Sequence, residues 1–216
     1  MTEILSRRER KKEETRHRIF HAAIDLFRER GFASTTVDEI TEKADVAKGT
    51  FFNYFPRKDS VLAYLSETRL EAIEENAGTM MTEPRPVRDK LIDLYCLAAS
   101  AYEEDRDLSR FVLVELMKRA FSTGDDVPIR WHELVVRLAR QGQENGEFRQ
   151  DLDAVRIEAV LTALYYATLY QWVCVEPAMA EAHPELFGSE CGVFGSPSIQ
   201  QELRTRMILV MEGIQP

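Results

Sequence analysis

Nowhere in this 216-residue sequence does an apolar run approach the ~20 residues that a membrane-spanning helix needs. The amino terminus also lacks the apolar segment of a secretory signal, so a soluble, cytoplasmic protein with no membrane partner is expected. Cysteine is scarce. Cys96, Cys174 and Cys191 are odd in number, far apart, form no CxxC and are not grouped with histidine. That pattern argues against a disulfide framework and against a metal site, and for idle thiols in a reducing compartment. The four histidines are scattered at positions 17, 21, 132 and 183. No Ser/His/Asp constellation, phosphate-binding glycine loop or dinucleotide fingerprint is present. The absences point away from an enzyme and imply no cofactor.

What is present is a globular composition, 44% hydrophobic and 30% charged, enough for one sizeable core or a small domain beside a larger one. The net charge of -9 is unevenly spread. Residues 1–60 carry 13 Lys and Arg against 11 Asp and Glu, while the remainder carries 15 against 26. A mildly basic head therefore precedes an acidic body. Arg7, Arg8, Arg10, Lys11, Lys12, Arg16 and Arg18 cluster at the very start. Such a cluster can track phosphates. It equally suits a solvated, frayed arm.

Apolar periodicity is helical almost throughout. Ile19, Ala22, Ala23, Leu26 and Phe27 form one stripe of a helix over about 13–30, with Gly31 as its stop. Ser34, Thr35 and Thr36 offer N-caps to a helix holding Val37, Ile40 and Ala44, with Asp38 and Glu39 in its first turn. A short helix over roughly 47–53 follows, closed by Pro56, and the next opens at Lys58 or Asp59. Two short helices joined by a tight turn are the layout of a helix-turn-helix. Further helices are predicted at about 87–103, 107–121, 127–145, 152–175 and 198–213. The Pro- and Gly-containing stretch 176–198 reads either as an ordered lid or as a loop.

Within the short pair, Val37, Ile40, Ala44 and Val46 are spaced to face the first helix. Phe51 and Phe55, one turn apart, point the same way. Ala47, Lys48, Thr50, Asn53 and Tyr54 are left outward. Lys48 can donate to guanine or phosphate, Thr50 can meet a phosphate or a thymine methyl, and Asn53 can pair with adenine. Gly49 lets backbone approach DNA, and Tyr54 and Lys58 suit phosphates at the edge. An ordinary solvent-facing helix pair would carry similar residues, and spacing alone does not separate the two.

The stretch TTVDEITEKADVAKGTFFNYFPRKDSVL, preceded by HRIFHAAIDLFRERGFASTTV, resembles the N-terminal signature of the TetR family, the tetracycline-repressor-like regulators. The resemblance runs from about Thr15 to Leu62. It implies an all-α subunit with a three-helix helix-turn-helix domain, here 1–60, and a helical ligand-binding and dimerisation domain, here 61–216. It implies a homodimer on a palindromic double-stranded DNA operator, usually a repressor released by a small ligand. It places Thr36 near a phosphate, Lys48, Gly49 and Thr50 at the start of the reading helix, and Tyr54 and Lys58 on phosphates. Phe52 stands where the family usually has tyrosine, Asp45 where glycine is common and Ala47 where serine is frequent, which puts individual contacts in doubt. An activator on the same fold and a protein-interaction adaptor using the acidic body remain alternatives.

The later part resembles the family more weakly, through RQGQENGEFRQDLD and the long apolar helix after it. That helix is apolar on more than one face, which suits a core on one side and a partner on the other. Ile199, Leu203, Met207, Val210 and Met211 form a second stripe. Ala163, Ala167, Leu203, Met207 and Val210 are accordingly the interface candidates in a four-helix dimer contact, the alternative being a monomer's core. Aromatic density suggests a mostly apolar effector site, with Phe111, Glu115, Trp131, Tyr165, Tyr166 and Tyr170 as candidates and His132 as a possible polar orienter. Plain core packing would also account for the aromatic residues.

Overall fold

The computed structural model describes residues 6–120, 127–174, 182 and 198–215. The unread stretch 176–198 lies outside these residues, apart from Ala182 and Ser198. The helices are α1 (Arg7–Arg30), α2 (Val37–Lys43), α3 (Lys48–Tyr54), α4 (Asp59–Thr82), α5 (Val87–Glu103), α6 (Arg106–Ala120), α7 (Val127–Glu144), α8 (Ala154–Cys174) and α9 (Ile199–Glu212). No strand occurs among the described residues. The chain divides into two units, Met1–Leu65 and Ser66–Pro216, with the boundary inside α4.

In the first unit, α1 begins at Arg7, earlier than the apolar stripe alone suggests. The cause is a capping box. The Ser6 hydroxyl accepts from the Glu9 amide at 3.3 Å, and the Glu9 carboxylate accepts from the Ser6 amide at 2.8 Å. These bonds from Ser6 hold the Glu9 carboxyl below its ordinary range. The basic cluster therefore rides on a capped helix rather than on a frayed arm. The helix stops at Gly31, whose φ of 81° is one that side chains rarely adopt. Thr35, only 2% exposed, closes the turn by donating to the carbonyls of Leu26 and Gly31. Of the three cap candidates it is Thr36 that caps α2, again in a box with Glu39. Asp45, between α2 and α3, has a φ of 50°, which aspartate tolerates better than most residues.

Ile19, Ala23 and Phe27 of α1, Ile40 of α2, Phe51 and Phe55, and Val61 and Leu62 of α4 bury one core. Tyr64 seats edge-on against Phe20 at 5.1 Å and against Phe55 at 5.8 Å, and the Arg16 guanidinium lies 4.0 Å above its ring.

In the second unit α5 is the central post. Its buried residues, including Leu91, Ile92, Leu94, Tyr95, Ala98 and Ala99, cover a broad face, leaving Asp89 and Leu97 exposed, and it packs against α6, α7, α8 and α9. Neighbouring carboxylates cap the helix starts. Pro86 has no cap to offer α5, so Glu147 accepts from the Val87 amide at 2.6 Å. Glu103 does the same for α9, accepting from the Ser198 hydroxyl at 2.8 Å and the Gln200 amide at 3.2 Å. Burial pushes the Glu103 carboxyl up, but these bonds outweigh it and hold it below its ordinary range. Asp93 is likewise clasped by Arg85 and Arg204, each at 2.5 Å.

Two interface candidates are corrected here. Leu203 and Met207 are 0% exposed. They lie with Ile199 and Met211 on the buried face of α9, which packs on α5 and α8. A side chain already in its own subunit's core has no surface left for a partner.

The turn after α7 depends on a missing side chain. A Cβ on Gly142 would intrude on the ring of Phe148, which is 1% exposed. Gly142→Ala is expected to destabilise the fold by about 1–3 kcal/mol through overpacking, read by urea or thermal unfolding. Adding Phe148→Leu should recover part of the loss. Wild-type stability in the single variant would contradict this account of the turn.

Candidate nucleic-acid interface and interior cavity

Helix α3 has only seven residues, and its orientation is set from behind. Phe51 and Phe55 are fully buried, 5.9 Å apart. Lys48, Gly49 and Asn53 are exposed, and Thr50 and Tyr54 are half-buried. Phe52 is 45% exposed, with its ring edge-on to Phe51 at 5.4 Å. A Cβ at Gly49 would meet nothing within 4 Å, so nothing in its surroundings requires glycine there. The Lys48 ammonium is held by Asp38 at 2.6 Å in a solvent-exposed pair, the kind worth little.

Beside α3 runs a groove of about 700 Å³. One wall is Thr50, Asn53 and Tyr54; the other is Arg8, Lys11, Lys12 and Thr15 of α1. The basic residues of this wall were visible in the sequence as a cluster, but not their place. The signal was there. Residues 8, 11, 12 and 15 share one helical face once the Ser6–Glu9 box is recognised as the start of α1.

Thr36 and Lys58 have structural duties. The Thr36 hydroxyl lies 2.9 Å from the Glu39 carboxylate within its capping box. Lys58 donates to the carbonyls of Phe32 at 2.6 Å and Thr35 at 2.7 Å, with its ammonium 4.3 Å above the Phe32 ring. Burial pushes this amine below its ordinary range. Lys58 thus pins the turn between α1 and α2.

In the second unit Trp131, Tyr165 and Tyr166 line one small, partly open cavity of about 60 Å³, together with Arg69, Leu70 and Tyr102. Trp131 stacks on Tyr165 at 5.8 Å and meets Tyr95 edge-on at 5.1 Å. Thr162 joins them, accepting from the Trp131 indole at 3.2 Å and lying 2.8 Å from the Tyr95 hydroxyl. Burial drives the phenols of Tyr102, Tyr165 and Tyr166 upward, so they stay protonated and able to donate.

The other candidates fall elsewhere. Phe111 is half-buried on α6 and is not among the lining residues. Glu115 pairs with Lys118 at 3.4 Å. Tyr170 is 55% exposed, because five residues along α8 from Tyr165 turn it away from the cavity. His132 pairs with the buried Glu158 at 2.8 Å. Tyr102 belongs to the aromatic set that the sequence suggests for a pocket, but Arg69 was not singled out from sequence. Arg69 sits in a charge-rich stretch that looks like any solvent face.

The outward face of α8 bears Val160, Ala163, Ala167 and Tyr170, all exposed, and Leu209 of α9 is 66% exposed. Val210 is half-buried.

Comparison with known proteins agrees with this architecture. The family model of bacterial regulatory proteins, tetR family, matches residues 19–65. The HTH-type transcriptional regulator YdeS of Bacillus subtilis is 41% identical over 182 residues, 76% of this chain and 83% of that protein. YerO of the same organism is 26% identical over 121 residues, 53% of this chain but 39% of that protein. Among solved structures, Thermus thermophilus FadR, a TetR-family repressor in complex with lauroyl-CoA, superposes with a TM-score of 0.66. It is 26% identical, covering 93% of this chain and 95% of that one. A helix-turn-helix with an outward polar reading face, the family model over that same segment and a relative of this identity over most of both chains have one explanation: the protein belongs to the TetR family and is a sequence-specific DNA-binding transcriptional regulator.

Proposed function

We propose that the protein is a homodimeric repressor that leaves a palindromic operator when a small, mostly apolar effector enters the cavity of its second unit. The observation that carries the DNA half of this reading is the groove between α1 and α3, one wall basic and the other bearing the residues suited to base edges. In the proposed complex Gly49 and Thr50 let α3 enter the major groove. Lys48 exchanges Asp38 for a guanine or a phosphate, and Asn53 pairs with adenine. Tyr54 and Thr36 bond phosphates, and Lys11 and Lys12 follow the backbone. Lys58, already bonded to two carbonyls, reaches phosphate only at the edge of its range.

The effector half is supported by the aromatic cavity and by the lauroyl-CoA complex of the Thermus relative. Helix α4 supplies Val61 and Leu62 to the core behind α3 and Leu70 to the cavity wall. A ligand that displaces α4 therefore acts on a helix the DNA-binding unit also uses. The dimer is supported by the α8 stripe. Ala163 and Ala167, one turn apart and small, allow a second helix to approach closely, and Val160 and Tyr170 flank them with apolar area.

In a selection from random duplexes, Lys48→Ala and Asn53→Ala are expected to change base preference, each costing about 1–3 kcal/mol of discrimination. Lys12→Ala should weaken all duplexes alike and reduce the salt slope of binding by about 0.9. Uniform losses for all three variants would sink this division of roles. Lys58→Ala should lower thermal stability even without DNA, since its carbonyl bonds go. For the dimer, Ala167→Glu should yield a monomer by sedimentation while keeping its helical content. A variant that remains a dimer at micromolar concentration would remove α8 from the interface.

A further inference from the structure

The first unit hides its large apolar side chains with one exception. Among its described residues Phe52 alone is exposed, at 45%. It stands in the middle of α3, and its ring meets the buried Phe51 only edge-on, at 5.4 Å.

Successive residues of a helix are about 100° apart, which divides the outward side of α3 into three strips. Thr50 and Tyr54 turn toward α1, where they line the basic groove. Gly49 and Asn53 occupy the middle and are exposed. Lys48 and Phe52, one turn apart, share the far strip, from which the Lys48 ammonium reaches Asp38 of α2. Phe52 is accordingly not among the residues that line the groove. Gly49, on the strip beside it, leaves the approach open, since a Cβ there would meet nothing within 4 Å.

The chemistry of a phenyl ring restricts what it can meet on DNA. It has no donor or acceptor to offer a phosphate or a base edge. Pressed against a phosphate, it would displace water from an anion and return no hydrogen bond. The apolar group that a duplex presents in its major groove is the C5-methyl of thymine. Covering that methyl with the ring removes apolar area of both from water.

We infer that Phe52 reads the C5-methyl group of a thymine, and so separates thymine from cytosine and from uracil at one position of the operator. This rests on α3 as the helix that enters the major groove. It adds to that helix a base-specific contact made without a hydrogen bond. Thr50 also carries a methyl, but it is half-buried on the opposite strip beside α1.

The test uses the full-length protein and the duplex it selects from a random pool. Each thymine is replaced in turn by uracil, which keeps the base pair and loses only the methyl, and affinity is read by anisotropy titration. In the wild type one such position should weaken binding about fourfold, the effect of one buried methyl group. Cytosine at that position should bind less well than thymine, and 5-methylcytosine should recover part of the loss. The uracil effect should disappear in Phe52→Ala, persist in part in the apolar Phe52→Leu, and stay unchanged in Thr50→Ser, which removes a methyl and keeps the hydroxyl. If no thymine responds to loss of its methyl, the inference is overturned, and a loss of affinity for all duplexes alike in Phe52→Ala then puts the ring on the sugar-phosphate edge. A uracil effect that survives Phe52→Ala also overturns it, and its loss in Thr50→Ser assigns the methyl to Thr50. Where Phe52→Ala binds no duplex, Phe52→Gln, polar and of similar length, decides: a uracil effect lost there supports the inference, and one retained overturns it. The reading of α3 fails separately. Base preference unchanged in both Lys48→Ala and Asn53→Ala, or no site selected at all, removes the helix from the groove and the inference with it. Altered preference in those two variants without any methyl effect leaves α3 as the reader and removes only Phe52.

Discussion

A seven-residue helix has almost no stability of its own in water, because the nucleation cost is spread over too few backbone hydrogen bonds. Helix α3 therefore exists because Phe51 and Phe55 are buried behind it. Each ring contributes on the order of 1.5–3 kcal/mol of burial. Together they also set the rotation of the helix. With those two faces turned inward, Lys48, Gly49 and Asn53 can only point outward. Tyr64 backs Phe55, Phe20 backs Tyr64, and the guanidinium of Arg16 covers Tyr64. The outward polar face is thus a consequence of aromatic packing on its hidden side.

The cations of this chain illustrate how little a charge says about its task. Lys48 is loosely held by one aspartate in solvent and can change partners at small cost. Lys58 has given its donors to two backbone carbonyls and is part of the turn. Arg69 lies at the wall of an apolar cavity, and Lys11 and Lys12 line a groove beside the reading helix. All five carry the same charge. Burial, and the number of donors already satisfied, separate a residue that can meet DNA from one that holds the fold.

Helix α8 is divided in a similar way between its faces. Tyr165 and Tyr166 line the cavity, while Ala163, Ala167 and Tyr170 face outward. The helical repeat of 3.6 residues separates the two sets, so one helix can hold both a cavity wall and an apolar surface. Its neighbour α9 contributes differently from its apolar pattern. The strongest stripe, with Leu203 and Met207, is spent on α5 and α8, and the exposed Leu209 lies off that stripe. Carboxylates from distant positions complete this unit. Glu147 caps the start of α5, which has no side-chain cap of its own, and Glu103 adds to the Ser198 cap of α9.

Much of the architecture was legible in local pattern. The all-helical class, the helices at 87–103 and 127–145 to within a residue, the stop at Gly31 and the inward Phe51 and Phe55 all follow from periodicity and backbone preference. These are short-range effects, fully encoded within a few turns of chain. What a stripe faces is not short-range. Whether Leu203 meets its own subunit or another, which aromatic residues share one cavity, and where the donors of Lys58 end depend on residues 23 to over 100 positions away. By itself the sequence determined the helices, the family and the side of α3 that is hidden. Only the tertiary structure decided that the basic cluster forms one wall of a groove with the reading helix and that Arg69 reaches an apolar cavity. A charge on a helix surface has the same local pattern whether water, a carbonyl or a cavity lies opposite, and only the packed chain supplies the opposite side.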